Sequence, residues 1–210
     1  NYEYWFSAAN FLAYTNTLKV VRAASIATTR NAIANSSATA ILIKNQDDWE
    51  QNYSTGQASV GEFAARYAGE IGNSLKVSMA DANTFASWSY ASSFTSAPST
   101  STYTSNKGGL RDEVHVIVID EDGKFTGTRG QVLEVFPFAS KASDAKDDSG
   151  NTIYYKNVLA TQSKYIHWMD HPTAVGSGAA WGNTAASSTF ANLTSNVTVS
   201  LSNGADGTVA

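Results

Sequence analysis

The run Glu113-Val114-His115-Val116-Ile117-Val118-Ile119, the turn Asp120-Glu121-Asp122-Gly123 and the run Gln131-Val132-Leu133-Glu134-Val135-Phe136 constrain this chain more than any other feature. β-Branched residues at this density fit a pleated surface better than a helix, and an Asp/Gly-rich turn between two such runs pairs them antiparallel. Lys124-Phe125-Thr126-Gly127 is expected to extend from the turn, and Pro137, which has no N–H for a ladder, to confine pairing at the end of the second strand. Two further stretches alternate as strands do: Leu75-Lys76-Val77-Ser78-Met79, with Leu75, Val77 and Met79 inward, and Val197, Val199 and Leu201 near the end.

Elsewhere the period changes. Residues 2 to 14 place Tyr2, Trp5, Phe6, Ala9, Leu12 and Ala13 at helical spacing, one apolar stripe that must pack on something, with Asn16 as a stop. Leu18-Lys19-Val20-Val21-Arg22-Ala23 then reads as a short strand, and this helix-to-strand unit cannot bury its own stripe. Residues 25 to 60 are mixed, with Ala40-Ile41-Leu42-Ile43 the one compact apolar run and Asp47-Asp48-Trp49-Glu50 an acidic turn or helix start. The glycines at 61, 69 and 72 are expected to break the stretch to Leu75 into turns or single-turn helices. Residues 152 to 162 read as a short helix and Lys164 to Met169 as a strand. The fold class expected is α+β: mixed, mostly antiparallel β-sheet layers flanked by short helices.

A chain of 210 residues can bury a sizeable core. It has no cysteine, which removes a disulfide framework, a thiolate zinc site and a cysteine nucleophile. The net charge of −4 argues against nucleic-acid binding, which needs a basic stripe to neutralise phosphates. No stretch approaches the roughly 20 apolar residues of a membrane helix. Neither end shows a leader or a terminating feature, so the chain is expected to be an internal stretch of a longer polypeptide. Only 15% of residues are charged, against about 25% usually, whereas 47 are Ser or Thr. A hydroxyl-rich surface suits contact with neighbouring protein, because burying partnered hydroxyls costs less than burying charges; a secreted protein would share it. Residues 82 to 106 carry no charge, yet Phe85, Trp88, Tyr90, Phe94 and Tyr103 make the segment too aromatic for a linker, so it packs internally or against a neighbouring chain.

No residues suggest catalysis. Asp120-x-Asp122-Gly123 invites a calcium loop, but Lys124 and Gly123 occupy the wrong places for one, and a β-turn explains them. His115 reads as a strand residue. His167, Asp170 and His171 crowd before Pro172, but no further ligand cluster supports a metal. The acids at Asp47-Asp48, Asp120 to Asp122 and Asp147-Asp148 fall in turns rather than facing a cleft. Gly176-Ser177-Gly178 is not a nucleophile elbow, and Lys107-Gly108-Gly109 lacks the spacing of a phosphate loop. The sequons at Asn35, Asn52, Asn192 and Asn196 are what an Asn-, Ser- and Thr-rich chain produces by chance. No catalytic residue, metal ligand or cofactor is expected.

The order of motifs is more informative than any one. Tyr4-Trp5-Phe6-Ser7-Ala8-Ala9-Asn10-Phe11-Leu12-Ala13-Tyr14 followed by Leu18-Lys19-Val20-Val21-Arg22-Ala23 resembles the helix and strand early in contractile tail sheath proteins of large tailed bacteriophages. Ala65-Arg66-Tyr67-Ala68-Gly69-Glu70-Ile71-Gly72-Asn73-Ser74-Leu75 is similar to a sheath pattern ending in Gly-Glu-x-Gly-Asn/Asp and a strand, with Ala68 where proline is common. Residues 112 to 120 with Gly130-Gln131-Val132-Leu133-Glu134 resemble its paired strands. Ser140-Lys141-Ala142-Ser143-Asp144-Ala145-Lys146, Tyr154-Tyr155 and Ser163-Lys164-Tyr165-Ile166 resemble the segments C-terminal to those strands in the family. Leu201-Ser202-Asn203-Gly204-Ala205-Asp206-Gly207 is similar to the junction where an inserted sheath domain returns to its core. Residues 24 to 60 and 82 to 106 match nothing in the family's pattern.

The resemblance implies three parts: residues 1–23 from a core domain, 24–203 an inserted middle or outer domain, and 204–210 the return junction. It implies a structural subunit rather than an enzyme, polymerising helically around the tail tube and contracting to drive the tube through the host envelope. Its partners would be other sheath subunits, the tail tube protein, and the baseplate and tail terminator proteins, with no nucleic acid and no membrane insertion. Its place would be the virion, after assembly in the host cytoplasm. A virion or cell-surface adhesin-like module is the alternative, and an extracellular glycan-active enzyme a distant third.

Overall fold

The computed structural model describes residues 2–19 and 25–208. Its helices are α1 (Tyr2–Leu12), α2 (Gln46–Asn52), α3 (Thr102–Asn106) and α4 (Tyr155–Gln162). Its strands are β1 (Asn31–Ile33), β2 (Phe63–Ala68), β3 (Leu75–Ala80), β4 (Glu113–Asp120), β5 (Gln131–Ser140), β6 (Ile166–Trp168) and β7 (Val197–Ser200). They form a sheet ordered β5-β4-β3-β7 and a smaller one ordered β1-β2-β6, both antiparallel. The protein is therefore α+β.

Strand β4 explains the apolar run that dominates the sequence. It lies between β5 and β3, and every residue from Val114 to Asp120 is buried. Val114, Val116 and Val118 join Leu75, Val77 and Met79 of β3 in the main core, closed by the small sheet, Trp49 of α2, and Tyr155 and Leu159 of α4. On the opposite face, Ile117, Ile119 and Ala80 are covered by Trp88 with Phe85, Tyr90 and Phe94. A strand buried on both faces needs apolar residues without alternation. Ser78, on this second face, is satisfied: its hydroxyl accepts from Trp88 Nε1 at 2.7 Å and donates to the Val197 carbonyl at 3.0 Å. The segment 82 to 106 thus packs on its own sheet through short 3-10 turns, ending in α3.

Several expectations need correction. The glycine-punctuated stretch after 61 contains strand β2; Phe63, Ala64 and Ala65 are buried between β1 and β6, and tertiary packing overrides the weak strand preference of alanine. Only residues 70 to 74 form the expected single turn. Residues 124 to 127 do not extend; the Asp120 carboxylate accepts the N–H groups of Phe125 and Thr126 at 2.9 and 2.8 Å and folds them into a turn. Pro137 does not end its strand, which runs on to Ser140. The ladder steps from Val116↔Phe136 to Val114↔Ala139, so Pro137 and Phe138 together oppose His115 in a bulge on an edge strand, where a missing N–H is tolerated. The expected strand over 18 to 23 is irregular at Leu18 and Lys19, and its remainder lies outside the described residues.

Residues 25 to 33 and 202 to 208 lie side by side. The Ser25 N–H donates to the Thr208 carbonyl at 3.0 Å, Arg30 and Ala205 exchange N–H···O bonds at 2.9 and 3.1 Å, and Ile33 and Ser202 do so at 2.8 and 2.9 Å. Gly204 sits where this seam meets the turn before β3, exchanging bonds with the Asn73 side chain. A Cβ there would run into the Gly69 carbonyl and come within 2.9 Å of Asn73 Oδ1. Gly204→Ala is expected to lower the unfolding free energy by about 1–3 kcal/mol, read from urea denaturation curves against the parent chain.

Candidate assembly surface and buried polar clusters

Helix α1 carries the largest concentration of exposed aromatic surface among the described residues. None of its residues is buried, and Tyr4, Trp5, Phe6 and Phe11 are 76%, 66%, 53% and 51% exposed. At roughly 150–250 Å² per buried aromatic, the helix with Tyr2, Leu12 and Tyr14 offers several hundred square ångströms of apolar surface, beyond what a scattered exposed residue represents. Its only charge is Glu3. The stripe has the helical period expected, but the body of the fold does not receive it.

The residues weighed as chemical candidates divide between groups tied into internal bonds and groups left at the surface. Asp120 is buried, accepting from Ser74 Oγ at 2.7 Å and from Thr126 Oγ1 at 2.9 Å besides the two turn N–H groups. Burial pushes its pKa up, and these donors outweigh that and hold the carboxyl below its ordinary value. Asp122 faces solvent and pairs with Arg129 at 3.0 Å. Asp48 accepts from the Lys44 N–H, and Asp147 closes a turn with Ser149 and Asn151. Lys107 pairs with Asp144 at 3.0 Å and lies over the Tyr103 ring. Ser177 is exposed in an irregular stretch. Asn35 and Asn52 are exposed, whereas Asn192 and Asn196 are half-buried.

The three histidines do not converge, and no group of three His, Cys, Asp or Glu able to hold a metal occurs among the described residues. His115 stacks on Phe94 with centroids 4.2 Å apart. His171 Nδ1 lies 2.6 Å from the Tyr155 hydroxyl, which also accepts from Trp168 Nε1 at 2.9 Å. His167 stacks on Trp49 at 5.6 Å, and neither ring nitrogen has a hydrogen-bond partner among the described residues. Burial lowers all three pKa values, and for His167, where the Arg66 charge adds to it, to about 3.

The sequence reading missed the pair at the centre of the fold. Lys141 Nζ lies 2.9 Å from Asp81 Oδ2, with side chains 0% and 1% exposed. Lys141 also donates to the Ala191 carbonyl at 3.2 Å and lies over the Trp181 ring at 4.8 Å. Burial pulls its pKa down against the opposing pull of Asp81. Asp81 follows β3 and Lys141 follows β5, 60 residues apart in sequence. The only local hint is the alanine and serine flanking Lys141, too small to shield a lysine from a partner.

No family model matches this chain. Over 127 residues, 60% of its length, it is 31% identical to the tail sheath protein of Salmonella phage ViI, and it covers 18% of that relative.

Proposed function

We propose that this chain is part of a phage tail sheath subunit, a structural component that polymerises with other copies around the tail tube and contracts to drive the tube through the host envelope. The observation that carries this reading is the 31% identity over 127 residues to a tail sheath protein. In this reading residues 1–23 belong to a core domain, 24–203 form an inserted domain and 204–210 lead back. Two features support that division. The pairing of 25 to 33 with 202 to 208 holds both ends of the body at one place, as insertion into another domain requires. The stripe of α1, left open by the body, is the surface a core domain would cover.

The role is mechanical rather than enzymatic. A sheath subunit moves as a nearly rigid body while its contacts with neighbours exchange between two packings, and heterologous contacts that do not close generate a helical tube. Asp120, His115 and His171, tied into internal bonds, and His167, stacked on Trp49, suit such a body. Tube, baseplate and terminator proteins are its further partners, and the virion its location.

Electron microscopy of the full-length protein tests this. Tubes or rings of one helical symmetry are expected; a product that stays monomeric and binds glycans on an array would replace this reading with the adhesin one. Trp5→Asp with Phe11→Asp is expected to abolish tubes while leaving the melting temperature of the body within about 4 °C, since each surface change shifts stability by no more than about 0.5 kcal/mol.

A further inference from the structure

The geometry points to residues 82–101 as a strap over the outer face of the large sheet that lifts when His115 gains a proton. Three neighbouring residues of the chain fasten a serine of this segment each. The Asp112 carboxylate accepts from the Ser101 N–H and hydroxyl at 2.8 Å each. Glu113 Oε2 accepts from the Ser99 N–H at 2.8 Å. His115 Nε2 lies 2.8 Å from the Ser96 carbonyl, and its Nδ1 accepts from the Phe138 N–H at 3.0 Å. An Nδ1 that accepts carries no proton, so the ring is neutral, with Nε2–H donating to Ser96.

A proton on Nδ1 turns this acceptor into a donor facing the Phe138 N–H. Phe138 has little room to adjust: it is held at φ 52° in the bulge opposite His115. The rings around the imidazole, Phe94 stacked at 4.2 Å, Phe138 at 4.7 Å and Phe85 at 5.6 Å, offer no carboxylate. The strap carries no charge, and neither do the bulge residues Pro137 and Phe138. Asp81, next to the Ala80 that pairs with His115, is held by Lys141; Asp112 and Glu113 are held by the strap's own serines. An imidazolium here is a buried cation without a counter-ion, which is costly.

The open strap leaves His115 at its ordinary value, whereas the closed strap depresses it through burial. Opening is therefore favoured as pH falls below about 6.5. Glu113 acts the other way: burial holds its carboxyl above the ordinary value, so its protonation resists opening. Release is thus driven from about pH 6.5 downward until Glu113 begins to protonate. Release uncovers Ile117, Ile119 and Ala80 together with Trp88 and Phe94.

Hydrogen exchange of the full chain, read by mass spectrometry at pH 7 and pH 5 and normalised to intrinsic rates, tests this. Amides of 85 to 101 are expected to exchange faster at pH 5 than at pH 7, by at most tenfold per pH unit below about 6.5, while β3 and β4 stay protected. His115→Gln, whose amide can accept from Phe138 and donate to Ser96 without titrating, is expected to remove the pH response. Equal protection of the strap at both pH values, loss of strap and sheet protection together, or a parental response in His115→Gln would each overturn the proposal. Should that variant not fold, the parental comparison decides alone, and Glu113→Gln is expected to leave the response in place.

Discussion

Lys141→Met is expected to destabilise the fold by about 3–5 kcal/mol, the loss typical of removing one partner from a buried ion pair. The Asp81 carboxylate left behind keeps two backbone donors, Leu193 N–H at 2.7 Å and Asn83 N–H at 3.0 Å, but no cation. Asp81→Asn is expected to cost a similar amount, because it removes the counter-charge and leaves the Lys141 ammonium with neutral partners only: the amide oxygen, the Ala191 carbonyl and the Trp181 ring. The double change Lys141→Met with Asp81→Leu recovers part of the loss, since no charge stays buried unpaired. Recovery is incomplete because the Leu193 and Asn83 N–H groups then lose their acceptor. Urea midpoints of the three variants measure this, and a loss below about 1 kcal/mol in Lys141→Met would mean that the pair does not clamp the ends of β3 and β5.

The second large effect is acid sensitivity through His167. Its pKa is about 3 in the fold, against about 6.5 for a free imidazole. A depressed histidine contributes its full stability above 6.5, where both states are neutral, and loses it as pH falls toward 3. At pH 4.5 the loss is about 3 kcal/mol, two pH units at roughly 1.4 kcal/mol each. The cause is burial between Trp49 and the small sheet with no acceptor for either nitrogen among the described residues, next to the Arg66 charge. His167→Phe keeps a ring on Trp49 and removes the titration. The stability difference between parent and variant is therefore expected to shift by about 3 kcal/mol in favour of the variant between pH 7 and pH 4.5. A pH-independent difference in denaturation midpoints would mean that His167 is solvated or partnered in solution.

Much of this architecture is legible in the residues. Strands β3 and β7 come from period-two runs and α1 from helical spacing, because backbone geometry alone sets those periods, while β4 and the first part of β5 come from dense β-branched runs on either side of a turn. Strand β2 is illegible for the opposite reason: Phe63-Ala64-Ala65 has no strand signal of its own and is ordered by β1 and β6 on either side. The bulge at Pro137 is equally non-local. A proline reads as a stop, and only the edge position of β5 makes its missing N–H harmless.

What the linear order of residues determined by itself is the α+β class, the antiparallel pairing of β4 with β5 and a set of motifs resembling tail sheath proteins, since each depends on neighbours a few residues apart. What only the tertiary structure decided is which polar groups are buried and which apolar groups are not. Lys141, after β5, finds Asp81, after β3, across the intervening β4, His115 fastens a distant serine loop, and the stripe of α1 stays open. Burial is set by contacts between residues far apart in the chain, and no local period encodes it.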